Sequence, residues 1–120
     1  MVNDTDVIPD DAWLAVPDIM EVTGASLPTV KTWIQERELV GVRRGPHRAL
    51  MVPAAFVTPE GPLKHLRGTI TVLTDSGMDD GEIIEWLHRA DDSLAGGSAI
   101  GSLRTGNKTE VRRRAQETAW

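Results

Sequence analysis

The sequence predicts a mainly α-helical fold: two short helices joined by a tight turn, then a β-hairpin, then a small C-terminal helical region. Three observations predict it. Apolar residues recur at helical spacing, as at Val30, Trp33 and Ile34. The stretch VRRGPHRALMVP breaks that period with two β-compatible arms around Gly45-Pro46. Capping signals recur ahead of the periodic runs, Ser26 before Val30 and Asp79 three residues before Glu82.

Taken in order, residues 1–11 are polar and acidic without apolar periodicity and read as a flexible acidic tail, so structure is expected to begin at Ala12 or Trp13. A short extended piece then leads into a first helix opened by Pro17, whose missing N–H is harmless in a first turn, and closed by Gly24. Its expected buried face is Ile19, Met20 and Val22. Ser26 caps the second helix, which is followed after Gly41 by the hairpin. Residues 54–62, punctuated by Pro53, Pro59 and Pro62, read as one helical turn and a loop. Beyond them Leu63, Leu66, Ile70 and Leu73 define one helical face, and Ile83, Ile84, Trp86 and Leu87 another. The Gly/Ser-rich residues 91–106 are expected to hold at most one helical turn near Ile100 to Leu103. A last helix starts at Asn107 with Glu110 three residues on, the spacing of a capping box, and buries Val111 and Ala115. The expected division is therefore 1–11, 12–58 and 59–120, the last region packed on the second.

Composition narrows the function classes. The 120 residues include no cysteine, which excludes disulfides, thiolate metal sites and cysteine nucleophiles. His47, His65 and His88 lack a second ligand at i+3 or i+4, so no metal is expected. The acids between Asp79 and Asp92 do not follow a calcium-loop pattern. With no nucleophile elbow, phosphate loop or zinc-protease motif, the chain is expected to be no enzyme and to need no cofactor. No apolar run is long enough to span a bilayer and the start is acidic, so a cytoplasmic location is expected. Trp13, Trp33 and Trp86 sit on apolar faces and read as core, whereas Trp120 is left between the core and an oligomer interface.

The formal charge of −5 conceals a strong asymmetry. Residues 1–30 hold six acids and no Lys or Arg, whereas residues 31–67 hold seven bases against three acids, and residues 68–120 return to a net −3. A local patch, rather than the total, sets an electrostatic footprint.

Helix, tight turn, capped second helix and basic hairpin in that order make a winged helix-turn-helix. The segment LAVPDIMEVTGASLPTVKTWIQERELVGVRRG resembles the DNA-binding segment of MerR-type and excisionase-type proteins. The segment from Arg67 to Gln116 is similar to the C-terminal domain with which Xre-type antitoxins bind a toxin, in W-L, D-S-L-x-G-G-S, S-L-R-T-G and the closing V-x-R-x-A. Ala99 stands where that pattern has Pro. Both halves together resemble the small actinobacterial winged helix-turn-helix DNA-binding proteins that are substrates of a membrane Ser/Thr kinase. The resemblance implies a double-stranded DNA partner, transcriptional regulation and Ser/Thr phosphorylation. It equally allows an antitoxin-like module that binds a partner protein, or a second copy, through the C-terminal helices.

Ser26, Thr29, Lys31, Thr32 and Gln35 are the candidate DNA-binding residues of the second helix, since Gln can pair with adenine and Lys with guanine or phosphate. Arg43, Arg44, His47 and Arg48 are those of the hairpin, whose arginines are available to track phosphates or to enter a minor groove. Thr5, between Asp4 and Asp6, is the candidate phosphoacceptor. Arg112, Arg113 and Arg114 cannot share one helix face, so one or two of them are available to DNA and the rest to solvent or to the acidic loops.

Overall fold

The computed structural model describes residues 8–9 and 12–118. Strand β1 (Trp13–Ala15) runs directly into α1 (Val16–Thr23), and a short turn leads to α2 (Leu27–Gln35). Strands β2 (Val42–Arg44) and β3 (Ala49–Pro53) form the expected hairpin. A 3-10 turn (Ala54–Phe56), a small ladder of β4 (Val57–Thr58) and β5 (Gly61–Pro62), and helices α3 (Leu66–Asp75), α4 (Asp80–His88), α5 (Ala99–Arg104) and α6 (Lys108–Glu117) complete the chain. β1 pairs antiparallel with β3, giving a three-stranded sheet in the order β1-β3-β2, with Leu14 opposite Val52 and Arg43 opposite Leu50. The fold is a winged helix-turn-helix followed by a helical C-terminal region.

Local chemistry explains the turn between α1 and α2. Gly24 takes a left-handed φ of 74° and its N–H donates to the Met20 carbonyl at 2.8 Å, closing α1. The Thr23 hydroxyl donates to the Ile19 carbonyl at 2.8 Å and accepts from the Ala25 N–H at 3.1 Å. Ser26 then caps α2 by accepting from the Thr29 N–H. After α2, Arg37 enters the left-handed region at φ 64°, which a side-chain-bearing residue adopts only when held there. It is held by an ion pair to Asp80 at 2.9 Å and a hydrogen bond to Thr74 Oγ1 at 2.9 Å. Gly41 permits the close approach of the chain to β3, because a Cβ there would overlap the Met51 carbonyl oxygen.

A single hydrophobic cluster joins Ile19 and Val30 of the two N-terminal helices to Val52, Phe56, Leu73, Ile84, Leu103 and Val111. Its continuity across residue 58 follows from the 3-10 turn. Phe56 is fully buried with its ring 5.6 Å from that of His88, and Arg104 donates to the Ala55 carbonyl at 2.7 Å. Burying a Phe side chain is worth about 1.5–3 kcal/mol, so this residue is a principal fastener between the two regions. Burial also holds the His88 imidazole below its usual pKa of 6.5, against the opposing effect of the hydrogen bond between Nδ1 and the Ile84 carbonyl at 2.8 Å.

Several expectations are corrected. Ile8 is buried in the core and the Ala12 N–H donates to the Pro9 carbonyl, so packing reaches upstream of Ala12. Val22 is 43% exposed, because α1 is only eight residues long and Ile19 alone points squarely into the core. Leu63 precedes α3, which starts at Leu66. The loop of residues 54–62 contains the β4–β5 ladder, and α5 is a six-residue helix capped by Ser98. Asn107 stands at the start of α6 but its side chain donates to Thr105 Oγ1 instead of capping, and Glu110 is occupied by Arg113 and Arg114. The Asp79–Glu82 capping box forms with both bonds, at 2.8 and 3.0 Å. Thr5 and Trp120 lie outside the described residues.

Candidate nucleic-acid interface

Helix α2 turns one side to the core and the other to solvent. Val30 is fully buried, with Trp33 and Ile34 packed beside it, while Thr29, Lys31, Thr32 and Gln35 are all exposed. The exposed residues fall at the i, i+3, i+4 spacing that places side chains on one stripe. Two of the hydroxyls are oriented locally: Thr29 Oγ1 lies 3.0 Å from Ser26 Oγ, and Thr32 Oγ1 donates to the Pro28 carbonyl at 3.0 Å. Their lone pairs remain open to a donor. Lys31 and Gln35 project without a partner among the described residues, and they are the longest side chains on this face.

The hairpin separates its arginines. Successive strand residues point to opposite faces, so Arg43 shares a face with Leu14 and Val52 whereas Arg44 shares one with Trp13 and Met51. Arg44 lies across the buried Trp13 ring at 4.5 Å, a cation–π contact that ties the hairpin to β1. Arg43 is exposed, with one guanidinium nitrogen 3.4 Å from the Arg48 carbonyl. His47 and Arg48 are exposed in the turn, where Arg48 adopts φ 53° and its N–H donates to the Gly45 carbonyl at 3.1 Å. Arg43, His47 and Arg48 thus gather at the hairpin tip, and Arg44 is drawn back from them.

The basic run on α6 is entirely engaged. Arg112 donates to Thr69 Oγ1 at 3.1 Å and to the His65 carbonyl at 3.3 Å. Arg113 pairs with Glu110 and Glu117, and Arg114 with Glu110 and Asp91. Hydrogen bonds from Arg113 and Arg114 hold the Glu110 carboxyl down to about 2. Arg114 thus answers an acidic loop through Asp91, one of the outcomes expected from the sequence, and Arg113 answers acids of its own helix. Sequence reasoning missed the Arg37 clamp, since nothing local links Arg37 to Thr74 and Asp80.

Comparison with known proteins places the chain in a family. Residues 3–57 match the family model described as "DNA-binding protein Rv2175c, wHTH domain", and residues 63–119 match that of the Rv2175c C-terminal domain of unknown function. The chain is 31% identical to the DNA-binding protein Rv2175c of Mycobacterium tuberculosis, over 93% of this chain and 84% of that protein. The NMR structure of Rv2175c superposes with a TM-score of 0.81 at 30% identity, covering 96% of this chain and 86% of that one. Both family models and the shared fold cover most of the sequence, and the chain belongs to the Rv2175c family.

Proposed function

We propose that this chain binds double-stranded DNA as a transcriptional regulator, with α2 in the major groove and the β2–β3 hairpin as a wing on the phosphate backbone. The observation that carries the reading is the exposed polar face of α2 beside a hairpin tip whose cations Arg43 and Arg48 meet no carboxylate among the described residues. Gln35 reads adenine and Lys31 reads guanine or a phosphate, while Thr29 and Thr32 contact base edges. Ser26 and the first turn of α2 meet a phosphate, an arrangement that helix N-termini favour. Arg43, His47 and Arg48 neutralise backbone charge, and Arg44 fixes the wing on Trp13. In this reading the family name's reference to DNA binding holds for this chain as well.

Amide chemical shifts of the labelled protein titrated with a duplex test the assignment residue by residue. The largest changes are expected at residues 26–35 and 43–49. Saturable binding that leaves those amides unmoved would overturn it.

Regulation fits the same picture. A phosphate on Thr5 would add about −1.5 to −2 charge units to an already acidic segment and oppose binding to a polyanion. Mass spectrometry after incubation with a Ser/Thr kinase, followed by duplex titration of the product, checks this. Modification elsewhere, or unaltered affinity, removes it.

A further inference from the structure

The lysines and arginines of the described residues sort by whether a carboxylate answers them. Arg37, Arg89, Arg113 and Arg114 each have one within 3.0 Å. Lys31, Arg43 and Arg48 have none, and they belong to the interface already described. A further five meet no carboxylate among the described residues: Arg67 on α3, and Lys64, Arg104, Lys108 and Arg112, which group together in the C-terminal region.

Lys64, Lys108 and Arg112 stand around His65, and Arg104 shares its groove. Lys64, His65 and Arg104 line one open groove in which Glu60 is the only carboxylate. From α6, Arg112 reaches the His65 carbonyl at 3.3 Å. Desolvation first, and then the positive potential of Lys108, Arg112 and Lys64, hold the His65 imidazole below its usual range. Gly68 of α3 leaves room for the Arg112 guanidinium, which a Cβ there would have to displace. A glycine inside a helix costs about 1 kcal/mol relative to alanine, and here it admits a cation to a site already crowded with cations. Lys108 adds to the cost by standing at the first residue of α6, where positive charge opposes the helix dipole.

Gathered like charges repel, and an external polyanion relieves the repulsion. The position of the cluster selects which one. Gly61 of β5 lies against Trp33 of α2, one helical turn after Thr29. Lys64 follows Gly61 by three residues, a backbone reach of about 10 Å at most. The Cα framework measures 37 × 35 × 25 Å, comparable to one turn of duplex at roughly 34–36 Å. We infer that Lys64, Arg104, Lys108 and Arg112 form a second phosphate-backbone contact, through which the C-terminal region grips the duplex that α2 and the wing engage. This inference rests on the DNA reading above and gives the C-terminal region a share in it.

Fluorescence anisotropy of the full chain on labelled genomic duplexes of about 10 and about 25 base pairs, over a series of salt concentrations, separates the two claims. Each phosphate neutralised contributes about 0.9 to the log–log salt slope. Lys64→Ala/Lys108→Ala is expected to lower that slope by about 1.8 on the longer duplex, by no more than that on the shorter, and to be rescued by Lys64→Arg/Lys108→Arg. An unchanged slope on the longer duplex, with Arg43→Ala/Arg48→Ala still lowering it, would overturn the second contact and leave the DNA reading intact. If the wild type binds neither duplex, both fail. Binding of a polyglutamate peptide that is lost in Lys64→Ala/Lys108→Ala, with DNA binding unaffected, would reassign the cluster to an acidic protein partner and also overturn it.

Discussion

Helix α2 with its wing and helix α6 look alike as strings of basic and polar residues, yet the structure treats them oppositely. On α6 two neighbouring arginines, Arg113 and Arg114, are consumed internally by Glu110, Glu117 and Asp91, whereas Arg112 meets only the neutral Thr69 hydroxyl and His65 carbonyl. At the wing tip Arg43 and Arg48 meet no carboxylate among the described residues. Charge density therefore marks neither surface as functional. What distinguishes them is whether the fold supplies the counter-charge itself, and a cation that it leaves unanswered is available to a ligand. Arg37 makes the same point within the N-terminal half, since it adjoins α2 but is spent on Asp80 and Thr74.

The largest effect that could break this comparison lies in the core. If the two regions share one cluster, Phe56→Ala should destabilise the whole chain by about 3–5 kcal/mol and leave a single unfolding transition by calorimetry. Two separated transitions in the wild type would show that the regions are independent. Helix capping comes next. Asp79→Ala, which removes the 2.8 Å bond accepted from the Glu82 N–H and keeps the reciprocal one donated by the backbone N–H of residue 79, should cost about 1 kcal/mol in denaturant unfolding, and Ser26→Ala, whose bond to the Thr29 N–H is 3.4 Å long, nearer 0.5 kcal/mol. Equal costs would argue that Ser26 is purely structural.

The acid limb gives a smaller effect. Because burial lowers the His88 pKa in the folded state, the unfolded chain takes up the proton first. Stability is complete above the unfolded value of 6.5 and declines as pH falls below it toward the folded value. His88→Phe should flatten that part of the unfolding profile, and an unaltered decline would place its origin elsewhere. Smallest of all, Arg113→Ala should leave both thermal stability and duplex affinity unchanged within error, because its partners are exposed acids on its own helix.

Much of this was legible in the sequence because it is local. Pro17, Gly24, Ser26, the Asp79–Glu82 pair and the Gly45-Pro46 turn each act within four residues, and each does what its chemistry predicts. The exposed face of α2 followed from the same periodicity. Long-range pairing was not legible. Nothing in Trp13–Ala15 announces β3 as its partner, and the destinations of Arg37, Arg44 and Arg112 depend on packing across the chain. The Asn107–Glu110 box failed for a related reason: arginines three and four residues on offered the Glu110 carboxylate charged donors, and it took them.

The most direct test of the central claim, that unanswered cations rather than charge density mark the DNA surface, is the salt slope of duplex binding for matched double substitutions. Arg43→Ala/Arg48→Ala should lower the slope by about 1.8 and weaken binding, whereas Arg113→Ala/Arg114→Ala, which removes the same formal charge, should leave the slope where it was. Equal losses from the two pairs would contradict the account, since the duplex would then be responding to net charge alone.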